Sequence, residues 1–154
     1  MRALDPLVGE WEMCPEADWV PPDAPSARVR FEWMPGERFL VQRWEVPVPE
    51  APDGIAIIGP GAGDAPYRQH YFDQRGVARL YDMSFDGRVW KLWREREDFS
   101  PLSFKQRFEG TLSDDGNSIE GRWEKTADDG SWELDFRVVF QRALGASASS
   151  QTRR

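Results

Sequence analysis

Apolar residues recur at every second position through most of the chain, and nowhere do they hold a 3.6-residue period over ten residues. Side chains two apart share one face of a strand, so this pattern predicts half-buried strands. Ten strands follow, at 8–14, 28–34, 38–47, 54–59, 66–73, 77–85, 88–96, 103–113, 118–127 and 131–142. Turn residues separate them at short intervals, which predicts an all-β protein: an antiparallel, up-and-down barrel of about ten strands with little helix. No repeat of 20–50 residues underlies the rhythm.

Hairpin loops set the register, and register decides which side chains share a face. A four-residue loop at 114–117 pairs Leu112 with Ile119 and Phe108 with Trp123. The other face then carries Glu109 against Arg122 and Arg107 against Glu124. A turn at Pro35-Gly36 sets Val29, Phe31 and Trp33 beside Leu40, Gln42 and Trp44. A three-residue loop ending at Gly76 pairs Tyr71 with Arg79, Gln69 with Tyr81 and Arg68 with Asp82, and turns His70 outward. A two-residue loop at Asp129-Gly130 sets Trp123 opposite Phe136, with Leu134, Val138 and Phe140 on the apolar face. A two-residue turn at Asp86-Gly87 sets Tyr81 against Leu92, Met83 against Trp90 and Arg79 against Arg94. Two arginines facing each other inside a barrel need a counter-charge.

The inward face is therefore rich in aromatic residues and also carries polar ones. Its candidate ligand-binding residues are Trp33, Trp44, Tyr71, Tyr81, Trp90 and Trp123, with Gln42, Gln69, Gln106, Arg79 and Arg94. A wholly dry core has little use for three glutamines and two arginines, whereas apolar pockets with a few convergent polar groups bind small molecules. The competing expectation is a filled core, with the arginines paired to acids or reaching the rim.

Composition narrows the partners. The 154 residues fit one domain, expected over 1–144, with 145–154 (GASASSQTRR) as a disordered tail. The net charge of -7 argues against nucleic acid and against an anionic membrane surface. The opening residues carry no apolar signal core, and no stretch reaches membrane-span length, so the cytoplasm is the expected compartment. Cys14 and His70 are the only cysteine and histidine, too few for a zinc site, and no metal is expected. Asp114, Asp115, Asp128 and Asp129 lack the spacing of a calcium loop and are expected as turn residues. The proline-rich stretch 15–27 is placed to fold over one barrel mouth. Phe39, Val41 and Trp93 face outward, and a cluster of them would make a homodimer surface.

PLVGEWE, FEWMPGERFLVQRWEVP, YFDQRGVARLYDMSFDG with VWKLWRE, and QRFEGTLSDDGNSIEGRWE resemble a lipocalin-like family of uncharacterised function, over roughly residues 5–143. The VGEWE entry also resembles that of calycins generally, including lipocalins, fatty-acid-binding proteins and nitrobindins. The resemblance implies a barrel with a central cavity and no particular activity. Fatty-acid-binding proteins hold a carboxylate with two arginines and a tyrosine, residue types matched here by Arg79, Arg94 and Tyr81. Nitrobindins ligate haem with a histidine on a late strand, where this chain has none, so no cofactor is expected. The leading expectation is a binding protein for a small, partly apolar, anionic ligand. The alternative is a barrel cyclase, isomerase or hydrolase using Tyr71, Tyr81 or His70, though no nucleophile elbow, phosphate loop or metal motif is present.

Overall fold

The computed structural model describes residues 1–143 except Trp19 and Glu50. The expected tail at 145–154 lies outside the described residues. A 3-10 helix, Arg2–Leu7, leads into ten strands: β1 Gly9–Glu16, β2 Ala27–Trp33, β3 Leu40–Glu45, β4 Gly54–Pro60, β5 Tyr67–Asp73, β6 Ala78–Phe85, β7 Val89–Arg94, β8 Gln106–Leu112, β9 Ser118–Thr126 and β10 Trp132–Arg142. Each strand pairs antiparallel with the next, and β10 pairs with β1, closing the barrel. Closure leaves no strand edge unpaired. Among the described residues, no helix is long and apolar enough to cross a membrane.

The β8–β9 ladder has Phe108 opposite Trp123 and Leu112 opposite Ile119, with Arg107–Glu124 and Glu109–Arg122 on the outer face. Pro35-Gly36 forms the β2–β3 turn: Gly36 is left-handed at φ 90, and the Glu37 N–H donates to the Met34 carbonyl at 2.8 Å. Trp33–Leu40, Phe31–Gln42 and Val29–Trp44 then pair across it. The β5–β6 loop ends at left-handed Gly76, and Gln69–Tyr81, Tyr71–Arg79 and Arg68–Asp82 pair as its length requires.

Two turns differ from the sequence expectation. The β6–β7 turn is Gly87-Arg88, not Asp86-Gly87. The Asp86 carboxylate accepts the N–H groups of Arg88 and Val89, which holds glycine at the first central position, where a positive φ is needed. Phe85 therefore pairs with Trp90 and Met83 with Leu92. The ladder shifts by two residues, so every side chain keeps its face, but continuing this register puts Tyr81 rather than Arg79 opposite Arg94. The β9–β10 loop has three residues, Asp128 to Gly130, not two. The Ala127 N–H donates to the Ser131 carbonyl at 2.8 Å. A bulge at Asp135 then restores Trp123 opposite Phe136. Before the bulge the parity is reversed, so Leu134 points outward and is exposed, contrary to expectation.

Hairpin direction gives the barrel two different ends. At the floor, the 3-10 helix inserts Leu4 and Leu7, both fully buried, against Trp11, Phe31, Leu40 and Ile58. The Trp11 indole N–H donates to the Leu7 carbonyl at 2.9 Å. Arg142 lies over the Trp11 ring at 4.1 Å and donates to the carbonyls of Pro6, Val8 and Gly116. It thereby ties the helix to β10 and the β8–β9 hairpin. The opposite end is the mouth, where the β1–β2, β3–β4, β5–β6, β7–β8 and β9–β10 connections emerge. On the outer wall, Phe39 on the β2–β3 connection is exposed and Val41 is buried. Trp93 lies on β7, four strands round from β3, so the three form no single cluster.

Candidate functional site

The floor half of the barrel is packed and the mouth half is hollow. Phe31, Trp90, Phe108 and Phe140 form the partition: Trp90 contacts the other three rings at centroid distances of 5.8, 4.9 and 5.9 Å. Phe108 fits because Gly110 and Gly121 face each other beside it; a Cβ on Gly121 would lie 2.6 Å from its ring. Above the partition is a cavity of about 440 Å³. That volume lies within the range of small-molecule sites.

Of the eleven residues singled out in the sequence, nine line this cavity: Gln42, Trp44, Gln69, Tyr71, Arg79, Tyr81, Trp90, Gln106 and Trp123. Trp33 does not. Its indole donates to Asp5 at 2.9 Å, and Arg2 lies over its ring, so it braces the 3-10 helix at the floor. Arg94 does not line the cavity either. Its guanidinium forms a fork with the Asp98 carboxylate, at 2.7 and 2.9 Å, and both side chains are almost fully buried. Asp98 also accepts the Leu80 N–H, so the pair pins the β7–β8 connection to β6. The hydrogen bond from Arg94 is the main cause holding the Asp98 carboxyl well below the usual range.

Arg79 is left in a different state. Among the described residues no carboxylate lies within ion-pair distance of it. Its guanidinium donates to Gln106 Oε1 at 3.4 Å and stands 5.9 Å from the Phe104 ring. The Tyr81 hydroxyl donates to the same Gln106 oxygen at 3.1 Å. Burial raises the Tyr81 pKa, with the nearby arginines opposing. Tyr81 is therefore a neutral hydrogen-bond donor at pH 7.

At the mouth, Tyr71 stacks on Trp44 at 5.4 Å, and Trp44 in turn lies against Gly54, where any Cβ would meet its ring at 2.3 Å. The Tyr71 hydroxyl donates to Asp73 Oδ2 at 2.6 Å, and Arg75 reaches the same oxygen at 2.7 Å. Burial alone would raise the Asp73 pKa, but the bonds from Arg75 and Tyr71 outweigh it and bring it down to about 2. Burial, then the bond to Asp73, pushes the Tyr71 phenol up. Lys125 and Asp135, 3.8 Å apart, complete the rim beside the β9–β10 bulge.

The mouth is edged by Val46, Ala51 and Pro52 of the β3–β4 connection rather than by the proline-rich β1–β2 loop, none of whose described residues beyond Pro15 lines the cavity. His70 pairs with Leu80 and Ile57 on the outer face, across the wall from the cavity. The turn aspartates act locally: Asp115 bonds Ser113 and Asn117, Asp129 bonds Ser131, and Asp114 pairs with Arg88. Three features escaped the sequence reading: the Asp98 partner of Arg94, the Tyr71–Asp73–Arg75 cluster and the 3-10 plug. The first had a signal, because Asp98 stands four residues after Arg94. Neither a family model nor a curated protein matches the sequence.

Proposed function

We propose that this barrel binds a small, partly apolar anion in its mouth-side cavity. The observation that carries the reading is the contrast between the two inward arginines. Arg94 is neutralised by Asp98, whereas Arg79 faces a cavity of aromatic rings with no carboxylate partner among the described residues. A guanidinium in such surroundings gains most from an anionic guest, because a charge-assisted bond is stronger where water is scarce. Tyr81, held neutral, adds a donor beside it. The aromatic walls take the apolar body. The lipocalin-like resemblance of the sequence implies a central cavity for such a ligand and by itself no particular activity.

The enzyme reading draws less support. Tyr71 and Tyr81 both have raised pKa values and are poor bases, and His70 stands outside the cavity. Native mass spectrometry of protein purified gently from its own host tests the proposal. A retained small acid, lost on Arg79→Met, is the expected result. A guest without an acidic group, or one retained equally by the variant, would refute it.

A further inference from the structure

Deeper than Arg79, three cavity groups lack a hydrogen-bond partner among the described residues: Gln42 Oε1, Gln69 Oε1 and the indole N–H of Trp90. Their residues are only 8%, 4% and 3% exposed. Buried polar atoms left unbonded cost stability, so a cavity that holds three of them is shaped for something that bonds them. Their position along the barrel axis is fixed by topology. β3, β5 and β7 all begin at the floor, and Gln42, Gln69 and Trp90 lie within the first three residues of those strands. Gln42 pairs with Phe31, whose ring touches Trp90. Arg79 is the second residue of β6, which begins at the mouth. The charged and the neutral polar groups therefore lie at opposite depths of one cavity.

Resting on the anion-binding reading above, we infer that Gln42, Gln69 and Trp90 form a second recognition point, and that the ligand is an aromatic acid carrying a hydroxyl at the end remote from its acidic group. The indole N–H only donates, and a glutamine oxygen only accepts. A hydroxyl satisfies both at once, accepting from Trp90 and donating to a glutamine. The ligand enters hydroxyl first, and its anionic group stays at the level of Arg79. The rings of Tyr81, Trp123 and Phe136 flank the body between the two ends.

Calorimetric titration with 2-naphthoic acid and with 6-hydroxy-2-naphthoic acid tests this. The wild type is expected to bind the hydroxylated acid at least about tenfold more tightly, the scale of one buried hydrogen bond. In Gln42→Leu/Gln69→Leu the ratio of the two affinities is expected to fall below about threefold; Trp90→Phe, which keeps an aromatic partition, gives an independent check. Equal affinity of the two acids for the wild type would overturn the inference and leave the anion site standing, with water serving the buried groups. Binding of neither acid would overturn the inference and the anion site together.

Discussion

At the scale of single residues, the same side-chain type serves two ends according to its neighbour. Arg94 and Asp98 form a buried ion pair, and removing one member strands the other without solvent. Arg94→Met is therefore expected to cost about 3–5 kcal/mol in a urea titration, with Arg94→Met/Asp98→Asn recovering part of it. A loss under about 1 kcal/mol would show that the pair is not buried. Asp73 gives a pH signature. Its pKa is depressed from 3.8 to about 2 in the folded state, so its contribution is complete above pH 4 and is lost as pH falls toward 2. That contribution is about 2 kcal/mol. Acid unfolding of Asp73→Asn should be correspondingly less steep between pH 4 and 2, and an unchanged profile would refute the assignment.

At the scale of elements, the turns decide which residues see the cavity. The bulge at Asp135 puts Leu134 in solvent, so Leu134→Lys is expected to change stability by less than about 0.5 kcal/mol. A loss above about 2 kcal/mol would return Leu134 to the core. The 3-10 helix plugs the floor, and Leu7→Ala is expected to cost about 2–4 kcal/mol by thermal or urea unfolding. All ten strands were legible from alternation, because one wet and one dry face write period two directly into the sequence. The Phe108–Trp123 register was legible because a slip would have set aromatic rings against charges. Turn chemistry was harder: Asp86-Gly87 looks like a two-residue turn, but the Asp86 side chain caps the N–H groups of Arg88 and Val89 and moves the turn by one. A six-residue plug is too short to show any period, so Leu4 and Leu7 gave no signal. The hollow itself was legible in part, since Gln42, Gln69 and Gln106 mark where the inward face stops being dry. Asp98 was missed because it lies on the β7–β8 connection, which alternation does not place.

At the scale of the whole molecule, the barrel is a closed wall with one packed end and one open one. Packing at the floor gives stability without needing the mouth half to be filled, which frees that half to hold a cavity. Charge is arranged unevenly: Arg75, Arg94 and Lys125 are each paired with an acid, and among the described residues Arg79 has no acid within ion-pair distance. The most direct test is a fluorescence titration with an anilinonaphthalene sulfonate, under conditions where near-ultraviolet circular dichroism shows an intact fold. The wild type and Lys91→Met, which alters an outer-face cation, are expected to bind the probe alike, and Arg79→Met about tenfold more weakly, the scale of a lost charge-assisted bond. Equal binding by wild type and Arg79→Met would contradict the anion site at the centre of this account.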